Sequence, residues 1–238
     1  MGDVSIIARR LECGKHVQYG WSGNGGYHKM VGSRLLEWYN EPSKVEYLFS
    51  LGQLNILGKP GSEKGGAPLF FTTDTINKPH WLGTSECDIF SKILFIDYGY
   101  FYDLDNIWYY VIPRPFKIKI PLLYINHHLD QNGFEFKERE KIKSMVTEYI
   151  LFDYYSSDTK LQKLVNKKYP EGIDEIRSKV YCNNDKNYSY FVLTENYREI
   201  YNYFDKWVVV RTSKDMKEIT GFSMKKKQNK KRIETIDW

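Results

Sequence analysis

Residues 98–112, "YGYFYDLDNIWYYVI", decide the fold class. A β-prone run that begins at Ile93 reaches Asp103, and a second, "IWYYVIP", starts at Ile107. Aromatic and β-branched side chains suit a pleated surface, whereas Leu104-Asp105-Asn106 suits a tight turn, so the stretch predicts a β-hairpin. Asp97, Asp103 and Asp105 cluster around it. Turns favour Asp for backbone reasons, so these carboxylates are a weak catalytic signal.

Outward from the hairpin, Pro113, Pro115 and Pro121 punctuate an extended segment, "RPFKIKIP". Phe116, Ile118 and Ile120 alternate there with Lys117 and Lys119, which predicts a half-exposed edge strand. Towards the N-terminus, "VSIIARRL" and "KHVQYGW" read as two short strands joined through Gly14. Between them and the hairpin, "HKMVGSRLLEWY" and "SKVEYLFSLG" carry apolar residues at helical spacing. Asn40-Glu41-Pro42 separates the two helices, with Asn40 able to cap and Pro42 tolerated in the first turn. The Gly- and Pro-rich run that follows reads as loop, and residues 69–92 stay ambiguous.

From Phe136 the pattern turns helical. "KEREKIKSMVTEYILFDYY" sets Ile142, Met145, Val146, Tyr149 and Ile150 on one face. "SDTKLQKLVNKKYP" follows, with Ser157 or Asp158 as its cap. "YSYFVLT" and "KWVVVRT" predict strands around a short helix, "ENYREIYNYF". The expected class is α+β: a small mixed or antiparallel sheet with two helices over 1–130, a helix-led α+β part over 131–224, and a basic tail over 225–238.

The chain has 238 residues, of which 42% are hydrophobic and 16% aromatic, which excludes disorder. Its net charge of +5 is unevenly placed. Basic and acidic residues balance up to residue 133, and the excess gathers in Lys225, Lys226, Lys227, Lys230, Lys231 and Arg232. That is the pattern of a neutral body with a charged end, unlike a nucleic-acid reader with a basic groove. Cys13, Cys87 and Cys182 are odd in number and widely spaced, which argues against a disulfide framework or a zinc site. No run approaches a membrane span and the N-terminus lacks a signal-peptide pattern, so a cytoplasmic protein without a membrane partner is expected.

One loop invites a ligand. "GWSGNGGYHKMVG", residues 20–32, holds five glycines, two aromatics and a histidine ahead of a helix. Glycine amides there could cradle an anion, and Trp21 or Tyr27 could stack on a base. The candidate ligand-binding residues are Trp21, Ser22, Gly23, Asn24, Gly25, Gly26, Tyr27 and His28. The spacing fits neither a dinucleotide fingerprint nor a Walker loop, and glycines also serve wherever φ must be positive. Ser22 lacks a nucleophile-elbow context, and nothing local to Cys13 or Cys87 lowers a thiol pKa. His28 stands alone, His16 and His80 lack an i, i+4 partner, and adjacent His127 and His128 cannot easily chelate one ion. No metal, cofactor or catalytic set is expected.

The motifs "MGDVSI", "GWSGNGGYHKMVG", "LLEWYNEPSKVEYLFSLGQLNILG" and "YGYFYDLDNIWYYV" together resemble a family of small proteins carried by phages and bacterial mobile elements. Members have a Trp-Asp-Gly-Tyr-Pro loop, a Pro-x-Lys-Val helix and a Ser-Leu-Gly close. The likeness covers roughly residues 1–112 and is most specific over Val31–Gly58. It departs at the loop, where Ser22 replaces the family's Asp, Asn24-Gly25-Gly26 is inserted, and His28 replaces its Pro. The resemblance implies a phage or mobile-element accessory protein in the host cytoplasm and supplies no chemistry. The expected function is therefore non-catalytic binding to a host protein or ribonucleoprotein, such as inhibition of a defence complex like a CRISPR effector. Twenty tyrosines, where exposed, would supply the contact area, and the basic tail would meet phosphates or an acidic surface. The alternative is a nucleotide or nucleic-acid binder that sequesters or cleaves a phosphorylated ligand at the Gly20–His28 loop.

Overall fold

The computed structural model describes residues 4–14, 16–23, 25–51, 54, 56–60, 81–83, 98–112, 117–169, 171–175 and 207–224. Asn24, the predicted elements between 176 and 206, and the tail 225–238 lie outside the described residues. The chain is α+β. Its described strands form one mixed sheet: β1 (Ser5–Arg10), β2 (Val17–Ser22), β3 (Trp81–Gly83), β4 (Tyr98–Tyr102), β5 (Trp108–Ile112), β6 (Ile118–Pro121), β7 (Val208–Thr212) and β8 (Ile219–Met224). The order is β3-β2-β1-β4-β5-β6-β7-β8. β1 pairs β4 and β6 pairs β7 in parallel; every other neighbouring pair is antiparallel.

Local chemistry closes the hairpins. Gly14 at φ +68° turns β1 into β2. Between β4 and β5, Asn106 at φ +61° donates its N–H to the Asp103 carbonyl at 3.0 Å. Asn tolerates that left-handed conformation better than other side chains, so the expected hairpin forms at the expected turn.

Strand alternation divides the apolar residues between two faces. Ile7, Tyr100, Tyr110, Ile112, Ile118, Ile120, Val208 and Val210 join a core with helix residues on one face. Leu35 comes from α1 (Ser33–Trp38), and Val45 and Leu48 from α2 (Pro42–Ser50). α3 (Leu122–His127) adds Leu122 and Ile125, and α4 (Phe136–Glu148) adds Ile142 and Val146. After α4 come a π-helical turn, Tyr149–Tyr154, then α5 (Tyr155–Ser157) and α6 (Thr159–Lys168), which contributes Leu161 and Val165. On the other face Ile6, Ala8, Val17, Phe101, Tyr109, Val111, Trp207 and Val209 form a second core. Burial on both faces explains the unbroken apolar run of β5.

Several expectations change. β6 is neither an edge strand nor half-exposed: all four of its residues are buried, and β7 pairs with it at Ile118↔Val208 and Lys119↔Val209. The sheet and the first core thus take residues from both sides of the boundary expected near residue 130. The helix expected to run from His28 opens as a π-helical turn, His28–Gly32, before α1. α2 starts with Glu41 as its cap residue and Pro42 inside, and Asn40 does not cap it. α6 uses Asp158, whose side chain accepts from the backbone N–H groups of Lys160 and Leu161.

Candidate functional site

The glycine-rich loop leaves β2 and is pinned at once. Leu54 donates its N–H to the Trp21 carbonyl at 3.0 Å, and Gly23 donates to the Leu54 carbonyl at 3.2 Å. Gly25 lies at φ +65°, where a β-carbon would be strained, with the Met30 side chain 3.6 Å from that position. The Gly26 carbonyl accepts a hydrogen bond from the buried Tyr100 hydroxyl at 2.9 Å. Tyr27 is half-buried, and its carbonyl accepts the first helical bonds, from Met30 and Val31. Trp21 packs against the second core, and Ser22 is buried.

His28 is 0% exposed. Its ring meets the edge of Tyr110, with centroids 6.4 Å apart, and lies so close to Gly32 that a β-carbon there would sit 2.7 Å from Nδ1. Neither ring nitrogen has a hydrogen-bond partner at normal geometry. Burial pulls its pKa down to about 4, opposed by the neighbouring Asn126, so the ring is neutral at physiological pH. Ser22, Gly26 and His28 thus face the interior while Trp21, Gly23, Gly25 and Tyr27 stay partly exposed, and Gly25 and Gly32 are glycines for backbone and packing reasons.

The hairpin carboxylates have structural partners too. Asp103 receives Arg10 Nε at 2.6 Å and Lys119 Nζ at 3.0 Å. Lys119 is 1% exposed, and its ammonium faces Phe101, Tyr109 and Trp207, with ring centroids 4.0, 5.7 and 5.1 Å away. Burial alone would raise the Asp103 carboxyl, but Lys119 and Arg10 outweigh it and hold the group well below the usual range. This arrangement is why a lysine can occupy an interior strand: its charge is paired and boxed by ring faces. Asp105 accepts from Ile107 N–H at 3.2 Å and from the Tyr109 hydroxyl at 2.7 Å, so it shapes the turn. Asp97 lies outside the described residues.

Few of the described tyrosines offer the exposed area that a tyrosine-lined contact would need. Tyr39, Tyr100, Tyr102, Tyr109, Tyr110, Tyr124 and Tyr169 are core, and Tyr47 stands out as exposed. Among the described aromatic residues the most exposed rings are two phenylalanines. Phe134 and Phe136 are 54% and 58% exposed on either side of the buried Glu135. Their turn is built by Asp130, whose carboxylate accepts from Asn132 N–H and Phe134 N–H at 2.8 Å each. Backbone bonds Asp130 N–H to Phe134 O at 3.0 Å and Gly133 N–H to Asp130 O at 2.9 Å complete it. Below it, the Tyr110 hydroxyl reaches Glu135 at 3.4 Å, and the Arg139 guanidinium lies 5.3 Å from the Phe136 ring centroid. Burial raises the Glu135 carboxyl, opposed by Arg139 and Tyr110. The signal for this feature was the Phe-Glu-Phe alternation after a Gln-Asn-Gly turn, in a stretch that otherwise suggests only a boundary.

A second pair is closer than its spacing implies. The exposed Cys13 Sγ lies 3.4 Å from His16 Nδ1 across the Gly14 turn. A Cys-x-x-His spanning a hairpin is the pattern that brings them together. His128, at the end of α3, stacks on Tyr124 with centroids 4.2 Å apart, and the neighbouring His127 is exposed. Among the described residues no three His, Cys, Asp or Glu side chains converge as a metal site requires. No helix there is long and apolar enough to cross a membrane. In comparisons with protein-family models, curated proteins and solved structures, the chain has no significant match.

Proposed function

We propose that this chain works by binding another macromolecule rather than by catalysis, as an accessory protein of a phage or mobile element acting on a host protein or ribonucleoprotein. A complex of host defence, such as a CRISPR effector, is the target this reading favours. The observation that carries it is the pair of solvent-facing rings, Phe134 and Phe136, on a turn fixed by its own hydrogen bonds. Rigid aromatic anchors lose little entropy on docking, and interface energy concentrates in such residues. The loop at Gly20–His28 speaks for the same side, because His28 and Ser22 serve the core. Lys225, Lys226, Lys227, Lys230, Lys231 and Arg232 would add a salt-dependent contact with acidic groups or phosphates.

The test is affinity capture of the tagged chain from host cells, with mass spectrometry of proteins and small molecules. A stoichiometric protein partner is expected. Recovery of a nucleotide instead, with a thermal shift lost in Trp21→Ala and Tyr27→Ala, would replace this reading with the ligand-loop alternative.

A further inference from the structure

We propose that the Asp130–Phe136 turn is the docking site for an acidic-apolar segment of a partner protein, one with carboxylates beside a large apolar side chain. This rests on the binding reading above and names the chemistry of its contact.

The turn offers two kinds of recognition at once. Phe134 and Phe136 give an apolar foothold whose backbone is set before binding, since Asp130 holds Phe134 at both its N–H and its carbonyl and Phe136 opens α4. Gly133, at φ +80°, lets the turn approach the Lys29 stem so closely that a β-carbon would lie 2.7 Å from Lys29 Cδ. That packing lays the Lys29 stem on the turn beside Gly133, the residue before Phe134. Lys137, exposed in the first turn of α4, follows Phe136 directly. Neither lysine has a carboxylate partner among the described residues, whereas the next cations along α4 do: Arg139 lies 3.8 Å from Glu140, Lys141 meets Glu138 at 3.0 Å and Lys143 meets Glu140 at 2.6 Å.

Two exposed rings, with two lysines at the turn that lack a carboxylate partner among the described residues, match a short segment with one or two carboxylates around an apolar anchor. They match a polyanion poorly. Nucleic acid and anionic membranes draw on many unpaired cations, each adding a modest increment. Here only Lys29 and Lys137 lie at the turn without such a partner among the described residues, and the remaining α4 cations are engaged with its own acids.

The full chain, F134A/F136A and K29E/K137E are each used to select from a random peptide library displayed on phage, and the selected peptides are then titrated by fluorescence anisotropy. The wild-type chain is expected to select peptides carrying Asp or Glu beside Leu, Phe or Trp. F134A/F136A should weaken them about tenfold or more, as loss of anchor residues does. K29E/K137E should weaken them roughly fivefold at low salt and flatten the salt dependence. All four replaced side chains are exposed, so unchanged unfolding temperatures verify that the variants are folded. Selection of peptides without carboxylates, equal binding by F134A/F136A, or no enrichment overturns the proposal. So does phenylalanine-dependent binding to phosphatidylserine vesicles or oligothymidine, or sedimentation showing that the rings join two copies of this chain. A cellular partner retained by F134A/F136A removes this site and leaves the binding reading intact; no cellular partner removes the reading itself.

Discussion

His28 packs a neutral imidazole against Gly32 and the edge of Tyr110, so protonation and folding oppose each other. The folded pKa of about 4 lies below the ordinary value of 6.5. Stability from this group is complete above pH 6.5 and is lost as the pH falls from there through 4. The linkage amounts to roughly 3 kcal/mol over that window. Urea titrations at pH 7 and 4.5 should show the drop, and His28→Gln should flatten it; an unchanged slope in the variant would place the acid sensitivity elsewhere. At the same spot, Gly32→Ala puts a methyl into the imidazole and should destabilise by about 1–3 kcal/mol, measured by thermal unfolding. His28 illustrates a limit of reading residues singly. Of the glycines around it Gly25 fits the expected positive φ, whereas Gly32 serves packing, and a histidine after a glycine-rich loop looks like a ligand until its ring is seen against Gly32 and Tyr110. Nothing within a few residues of it in sequence announces Tyr110.

β6 carries a different lesson, because an interior strand there holds a charged side chain. Asp103→Ala leaves Lys119 buried without its counter-ion and should cost about 3–5 kcal/mol by equilibrium unfolding. Replacing both partners together, Asp103→Asn with Lys119→Met, should recover most of that loss. A double variant as unstable as Asp103→Ala alone would show that the pair does not act as a unit. For α6, Asp158→Ala removes the two bonds to the Lys160 and Leu161 amides and should cost roughly 1 kcal/mol. The hairpin was readable in advance because Asn106 sits in its own turn, and the cap before Thr159 narrows to Ser157 or Asp158 because both precede the helix, whereas Asn40, read the same way, does not cap α2. The placement of β6 was not readable in this way. Alternation of isoleucine with lysine fits a solvent-facing edge equally well, and the residues that bury Lys119 include Trp207, remote in sequence.

Across the whole molecule, one sheet and one core depend on residues before and after position 130. A fragment ending at residue 130 would lack β7 beside β6 and would leave Ile118, Ile120 and Tyr110 without Ile142, Val146 and Leu161. Its circular dichroism is expected to show no cooperative melting, whereas the full chain melts in a single transition; a fragment with its own sharp transition would contradict that dependence. The parallel joining of β6 to β7 also has a consequence for synthesis on the ribosome. Until residues 208–212 emerge, β6 lacks β7 as its neighbour, and Lys119 lies on that strand with Lys117 just before it. Charged side chains at an open margin discourage pairing with a neighbouring nascent chain. Before β7 arrives, the lysine that ends up boxed by aromatic rings would therefore disfavour pairing of β6 with another chain.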